Sequence, residues 1–320
     1  MTYRDYHLVL EQTSGLCTPL QSDTIWGHFT SYLSQKDSAL LEQFIQTYRD
    51  KQPALIFSDG LPSVQNKKGN IDVCLPKPAD LTIRMDNFKE QKKIKRLMWL
   101  TKDDLDLVIA DNIDEDFSPE ELIEVVSHTD LHNQVSRTAE EQTQLFALDE
   151  VWIKTEDKTS TAVWSIFVRV RADFEVRLSP YLKEFISIGY GKKKNIGKGQ
   201  FKVEIRILDA SLFPKINNAS AFLSLSSFVP DENDPTDGCW QTFTKYGKTG
   251  EAISVLDGHI TDNPFKSPIV MLKAGAVFKI NDGKLHDYYG RCDLNEKQAV
   301  RKEKDYIHPM LAFVIPYILK

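Results

Sequence analysis

The feature that most restricts the fold of this chain is the stretch ISIGYGKKKNIGKGQF at residues 186–201. Four of the 15 glycines and four lysines lie within it. Glycine permits positive φ and lets a backbone approach a ligand without a Cβ in the way. The stretch is therefore predicted to be a loop between an apolar helix and the strand FKVEIRIL. Two interpretations of this loop are compatible with its sequence: a solvated turn and a site that clamps a polyanion.

The spacing of the glycines excludes two nucleotide-binding motifs. A Walker A loop needs four residues between glycine and Gly-Lys-Ser/Thr, whereas five separate Gly191 from Gly197 and a glycine follows Lys198. A dinucleotide fingerprint opens a helix after a strand, and here a strand follows. Successive backbone N–H groups and four lysines would instead suit a chain of phosphates. Binding of a single-stranded nucleic-acid backbone is favoured over mononucleotide chemistry.

The charge of the whole chain would not recruit nucleic acid. The 320 residues carry a net charge of −6. Basic residues are concentrated at 89–96 and in the glycine loop, while 103–121 is strongly acidic. Such segregation suits a protein that docks onto another protein while it holds a polyanion. A solvated helix face is the alternative for the acidic run.

Targeting and redox features are sparse. The N-terminus has no basic lead followed by an apolar core, so no signal peptide is expected. The longest apolar run, at 310–319, is interrupted by Pro316 and is shorter than the roughly 18–20 residues of a membrane span. The four cysteines form no C-x-x-C pair, which favours reduced thiols. A cytoplasmic protein without membrane contact is expected.

The order of predicted elements indicates an α+β fold. A strand at 6–12, a helix after Ser22, a second helix at 37–49 and a strand at 54–57 open the chain. A strand at 162–172, a helix at 179–188, the glycine loop and a strand at 201–208 repeat that order.

Two ferredoxin-like domains in tandem are therefore predicted, with a boundary near 155–160. Residues 1–157 would form the first domain, with an insertion at about 60–130 that includes an acidic helix near 118–127. A hairpin at about 131–153 would follow. Residues 158–320 would form the second domain, with the loop 189–199.

Several stretches, in this order, resemble one protein family. The glycine loop after a helix is similar to the C-terminal glycine-rich loop of the RAMP proteins of CRISPR effector complexes. Six further segments resemble the fourth subunit of the type III-A (Csm) complex in particular: PLQSDTIWGHF, LIFSDGLPSV, CLPKP, HNQVSRT, SSFVP and KSPIVMLKAGAVF. The resemblance is discontinuous, but it extends over most of the chain.

The resemblance implies two RRM-like RAMP domains, the first with a hairpin thumb, that grip the repeat-derived 5′ handle of a crRNA. Its implied partners are that RNA, the large polymerase-like subunit, the backbone RAMP subunit and, indirectly, target RNA. It implies antiviral defence as part of a ribonucleoprotein, with no catalytic residue, metal or cofactor.

The implied RNA-binding residues fall in three groups. The loop would cradle phosphates, the hairpin would act as a thumb, and the start of the first helix would offer its positive dipole end. They are Gly189, Gly191, Lys192, Lys193, Lys194, Asn195, Gly197, Lys198 and Gly199; His132, Asn133, Ser136, Arg137 and Thr138; and Ser22, Asp23 and Thr24.

Alternatives remain open for several of these residues. Ser22 and Asp23 also suit simple helix caps, His28 a packing histidine, and Arg137 an ion pair with Glu140 or Glu141. A metal-independent RAMP endoribonuclease that processes precursor crRNA would use His28 or His132 to deprotonate a ribose 2′-OH. A protein-only adaptor would make no RNA contact.

Overall fold

The computed structural model describes ten parts of the chain: 2–81, 92, 94–113, 117–134, 144–247, 255–256, 259–260, 267–281, 283–294 and 307–319. Its helices are α1 (Ser22–Lys36), α2 (Ser38–Arg49), α3 (Lys102–Ala110) and α4 (Glu175–Ser187), with 3₁₀ turns at Lys194–Ile196 and Ala210–Leu212. Its strands are β1 (Tyr3–Gln12), β2 (Leu55–Phe57), β3 (Leu61–Gln65), β4 (Ile71–Val73), β5 (Leu75–Pro76), β6 (Trp99–Leu100), β7 (Glu124–Gln134), β8 (Gln144–Lys154), β9 (Thr161–Arg171), β10 (Phe201–Ile207), β11 (Ala221–Ser224), β12 (Gly238–Cys239), β13 (Thr242–Lys245), β14 (Val255–Leu256), β15 (His259–Ile260), β16 (Ile269–Leu272), β17 (Val277–Lys279), β18 (Tyr288–Leu294) and β19 (Ile307–Tyr317).

Two larger sheets form the body of the protein. The first has the order β10-β1-β9-β3-β4, with β2 also paired to β9, and the second has the order β12-β17-β11-β19-β18. Every strand pair described in them is antiparallel. The fold is therefore mixed, with antiparallel sheets and few helices, in agreement with the predicted α+β class.

The division at 157/158 differs from the observed sheets. Strands β9 and β10 lie beyond that boundary, yet both pair with β1 in the first sheet. Residues 163–168 of β9 are all buried, as a central strand with both faces covered requires. Strand β9 lies between β1 and β3, so the first sheet contains strands from both sides of the predicted boundary.

Helix α1 packs one apolar stripe against both sheets. Its buried residues Ile25, Trp26, Phe29, Tyr32 and Leu33 recur at helical spacing and so share one face. Phe29 lies edge-on to Phe185 of α4, with ring centroids 5.3 Å apart. This packing joins the middle of α1 to α4, the helix that leads into the glycine loop.

Residues 118–127 are not helical, contrary to the expectation of an acidic helix. Residues 117–123 have no regular structure, and β7 begins at Glu124. Val125 pairs with Ile153 and Val126 with Trp152 of β8, so β-branched residues favour the strand over the local run of acidic charge. The predicted hairpin itself is confirmed as β7–β8. The basic segment at 89–96 lies partly outside the described residues. None of the described helices is long and apolar enough to cross a membrane.

Candidate nucleic-acid interface

The glycine loop connects α4 to β10 through a series of left-handed residues. Gly189, Gly191, Gly197 and Gly199 have φ of 96°, 77°, 87° and 63°, and Lys193 has φ of 64°. L-residues with a Cβ rarely adopt this conformation. The backbone thus confirms the prediction that these glycines allow the loop to adopt positive φ angles.

The loop is fixed to the end of β1 and the segment that follows. The Gly199 amide donates to Gly15 O at 2.9 Å, the Lys192 amide to Thr18 Oγ1 at 2.9 Å and the Gln200 amide to Ser14 Oγ at 2.8 Å. Across its base, the Tyr190 amide donates to Gly199 O at 2.9 Å. These bonds make the loop a defined platform, and they use several of the amides that an anion nest would need.

Gly199 is the position where the loop depends most on glycine. A Cβ there would lie 2.0 Å from the Tyr190 carbonyl oxygen, whereas Gly197, also left-handed, has nothing within 4 Å of a Cβ. We expect Gly199→Ala to lower the free energy of unfolding by about 2–3 kcal/mol and Gly197→Ala by about 1 kcal/mol. Urea unfolding measures both. Equal losses would show that the close approach at Gly199 is relieved at no cost.

His28 holds the loop from helix α1. Its Nε2 accepts a hydrogen bond from the Gly191 amide at 3.1 Å, and its ring lies against Tyr190 with centroids 4.6 Å apart. Burial, with a further contribution from Lys194, lowers the pKa of His28 to about 4. The imidazole is therefore neutral at pH 7, and its acceptor nitrogen is already engaged by the backbone. This geometry favours packing and positioning for His28 over proton abstraction.

Two buried histidines make stability depend on pH. Burial lowers the pKa of His7, which bonds Ser165 Oγ at 2.7 Å, to about 4, as it does for His28. Unfolded imidazoles titrate near pKa 6.5, so the unfolded chain binds protons first as the pH falls and the folded state loses stability.

We expect the free energy of unfolding to fall between pH 6.5 and pH 5, by up to about 1.4 kcal/mol per pH unit for each histidine. His28→Gln should make this decline in unfolding free energy shallower. The control His128→Gln, at a side chain that is 64% exposed, should leave the decline unchanged. Urea unfolding at half-unit pH steps measures this. A flat profile above pH 5 would contradict the assignment.

The four loop lysines differ in their surroundings. Lys192 and Lys193 are exposed, as is Asn195, and Lys194 is half-buried. The Lys193 ammonium lies 4.6 Å from the centroid of the Phe146 ring on β8. Lys198 forms an ion pair with Glu150, whose side chain is 3% exposed. The loop therefore presents its free positive charge mainly along residues 192–195.

The β7–β8 hairpin faces the loop with one side of its two strands. His132 pairs with Phe146 across the strands, and their rings stack with centroids 5.4 Å apart. The His132 Nε2 atom is shielded from solvent, which leaves it poorly placed to act as a base on RNA. Asn133 lies in β7, while Ser136, Arg137 and Thr138 lie outside the described residues. The structure thus brings the described part of the predicted thumb next to the predicted phosphate loop.

Three side chains of this hairpin offer ligand atoms to one point. The ligand atoms of Asp130, His132 and Glu150 lie within 4.8 Å of one another. This donor set suits a divalent cation in type and number. The Glu150 carboxylate, however, already has the Lys198 ammonium as its counter-charge.

The start of α1 is occupied by protein groups. The Ser22 amide donates to Asp59 Oδ1 at 2.8 Å, which is where an anion would bind a helix N-terminus. Asp23 contacts Lys245 and lies 2.8 Å from His308 Nε2, and Lys245 Nζ donates to Thr24 Oγ1 at 2.8 Å. The helix begins after Gln21, without a side-chain cap. Ser22, Asp23 and Thr24 thus join α1 to the C-terminal strands, and the RNA contact implied for them stays a prediction.

A cleft of about 800 Å³ lies beside this region, between the N-terminal and C-terminal parts of the chain. Residues 16–21 line one wall, while Trp99, Trp164 and Phe243 supply aromatic surface and Lys77, Lys95 and Lys273 supply charge. Sequence reasoning missed this cleft, because its walls come from segments far apart in the chain.

Glu150 and Phe146 were also missed, although the sequence holds a signal for both. Strict alternation along β8 places Glu150 on the same face as Phe146, Leu148 and Trp152. A carboxylate at an apolar position of a strand indicates a buried charge that needs a partner. Which lysine supplies the partner follows only from the fold.

No protein-family model matches the sequence, and no curated protein matches it. Solved structures do match over the whole chain. A chain of a Csm1–Csm4 cassette in complex with pppApA has a TM-score of 0.60 and 14% identity, covering 99% of both chains. A chain of the Csm3–Csm4 subcomplex in the type III-A CRISPR-Cas interference complex has a TM-score of 0.59 and 15% identity, covering 97% of this chain and 100% of the other. The resemblance inferred from the sequence is thus confirmed at the level of the fold.

Proposed function

We propose that this chain is a subunit of a type III-A CRISPR effector complex that binds the 5′ handle of the crRNA through the loop 189–199. The proposal combines the full-length likeness in fold to chains of Csm4-containing assemblies with one local observation. That observation is a rigidly held loop whose free lysines lie together on its surface. Phosphates of a single strand are the ligand that such a row of ammonium groups favours.

The order of elements supports a finer reading of the fold. When α2, β2 and the segment from β4 to β8 are set aside, the chain from β1 to β10 has the order β1, α1, β3, β9, α4, β10, and these strands lie side by side as β10-β1-β9-β3. We infer from this order a ferredoxin-like unit with the split βαβ pattern, in which the segment that contains the β7–β8 hairpin is inserted between the second and third strands. We infer a second such unit around β11, β17 and β19.

The proposed protein partners are the large subunit and the backbone subunit of the same complex. The matched structures are assemblies of Csm4 with Csm1 and with Csm3, and the proposal carries those two contacts over to this chain. An acidic face, with Asp103 of α3 almost fully exposed, is available for a protein surface. The role is one of scaffold and RNA holder in antiviral defence.

The proposed role is non-catalytic. In the competing endoribonuclease role, His28 or His132 would take a proton from a ribose 2′-OH. His28 Nε2 already accepts a hydrogen bond from the Gly191 amide, and His132 Nε2 is shielded by its neighbours. Both observations favour binding over cleavage.

Co-expression with the other complex subunits and a CRISPR array tests this proposal. We expect the complex to retain crRNA through this subunit, and the purified chain to bind labelled handle RNA without cutting labelled repeat RNA in the absence of metal. Cleavage that is lost in His28→Ala or His132→Ala would replace the scaffold role with the nuclease role. A complex that retains crRNA equally well without this chain would reject RNA binding.

A further inference from the structure

Glu150 lies at the point where three segments of the chain meet under the base of the glycine loop. The residue is 2% exposed. A Cβ on Gly15 would lie 1.7 Å from its Oε2 atom, so the backbone after β1 is shaped around the carboxylate. Next to it, Leu16 and Val151 exchange two backbone hydrogen bonds of 3.1 and 2.9 Å. The carboxylate therefore lies against the backbone of Gly15, in a part of the chain that is fixed to β8.

The loop meets this carboxylate through two consecutive residues. Lys198 places its ammonium against Glu150, and the Gly199 amide donates to Gly15 O at 2.9 Å. Removing the counter-charge of a buried carboxylate costs more free energy than one exposed phosphate contact returns. Lys198 therefore stays with Glu150 when an anion approaches the loop.

A second contact joins the same two elements. The Lys193 ammonium lies over the Phe146 ring, which stacks on His132. Phe146 and Glu150 lie on one face of β8, four residues apart. The glycine loop thus contacts the hairpin at two points, through Lys193 and through Lys198. These two contacts hold the loop in a defined position relative to the hairpin.

We propose that Glu150 is a positioning residue that pins the glycine loop to the hairpin through Lys198, so that Lys198 acts on RNA indirectly while Lys192 and its exposed neighbours bind phosphates. This inference rests on the proposed function and assigns different roles to lysines that look equivalent in the sequence. A lysine that touches a phosphate contributes to the salt dependence of binding, whereas a lysine that holds the loop does not.

The test compares RNA affinity across salt concentrations for Lys198→Met, Glu150→Gln, the double variant and Lys192→Ala, using fluorescently labelled handle RNA and the full chain. We expect Lys198→Met and Glu150→Gln each to weaken binding about tenfold with an unchanged salt slope, and the double variant to be no weaker than either. Lys192→Ala should weaken binding and reduce the slope by about 0.7. Lys198→Arg should keep near-normal affinity.

The opposite result has a distinct signature. If Lys198 bound a phosphate, Lys198→Met would reduce the slope as Lys192→Ala does, and Glu150→Gln would tighten binding by releasing the ammonium. Either observation overturns the inference and leaves the proposed function intact. A Lys192→Ala variant with unchanged affinity and slope would instead count against the proposed function. Circular dichroism monitors folding, and if Glu150→Gln does not fold, the slope of Lys198→Met alone decides.

Discussion

Replacing Lys192, Lys193 and Lys194 together with alanine should lower the affinity for handle RNA about 100-fold at 0.1 M salt. For a single-stranded nucleic acid, each neutralised phosphate contributes about 0.7 to the slope of log affinity against log salt concentration. At 0.1 M salt, each phosphate contact therefore raises the affinity about fivefold. Three contacts multiply to roughly two orders of magnitude. The log–log salt slope should decrease by about 2 in the same variant. Fluorescence anisotropy across a salt series measures both quantities.

The matched control removes the same charge elsewhere. Lys36, Lys51 and Lys215 are exposed lysines outside the loop, and their triple alanine variant has the same net charge as the loop variant. We expect the control to bind RNA within about twofold of the unchanged chain, because exposed charges beyond a Debye length are screened. Equal losses in the two triple variants would mean that the loop is not the binding surface.

Replacing Asp23 with alanine should lower the free energy of unfolding by about 3–5 kcal/mol. The Asp23 side chain is 3% exposed and lies between Lys245 and His308, whose side chains are 15% and 7% exposed. The hydrogen bond from His308 and the charge of Lys245 outweigh burial and hold the pKa of Asp23 well below its usual range. Removing the carboxylate leaves the half-buried Lys245 ammonium without this counter-charge, which is among the costlier single changes.

Asp103→Ala is the control for this second prediction. Its side chain is 97% exposed and lies 3.8 Å from Lys102, so its loss should change stability by less than about 0.5 kcal/mol. Urea unfolding at pH 7 measures both variants. If Asp23→Ala unfolds as the unchanged chain does while RNA affinity falls, the residue serves RNA rather than the joint between α1 and the C-terminal strands.

The local elements could largely be predicted from the sequence. Period-2 and period-3.6 patterns locate β1, α1, α2, β9 and the hairpin, and the glycines locate a loop with positive φ. These signals are short in range, since they reflect propensity and one-sided burial of neighbouring residues. The prediction of a helix at 118–127 was wrong, because the acidic charge is visible in the local sequence, whereas the pairing of residues 124–127 with β8 is a contact with a distant segment.

The partition of the strands and the internal contacts of the site could not be predicted. The order of strands in a sheet depends on which strands meet in three dimensions. The sequence pattern of β9 is the same whether that strand begins a second domain or completes the first sheet. Likewise, Lys198 and Lys192 look alike in the sequence, but one meets a buried carboxylate and the other meets solvent. The sequence at the start of α1 suggests an anion-binding site, but in the structure the Asp59 carboxylate accepts the hydrogen bond from the Ser22 amide.

A cryo-EM structure of the assembled complex with its crRNA would locate the handle relative to the glycine loop. We expect handle phosphates within about 4 Å of the ammonium groups of Lys192–Lys194, with the Lys198–Glu150 pair intact beneath them. A map in which the handle follows another surface, with the glycine loop facing solvent, would contradict this expectation.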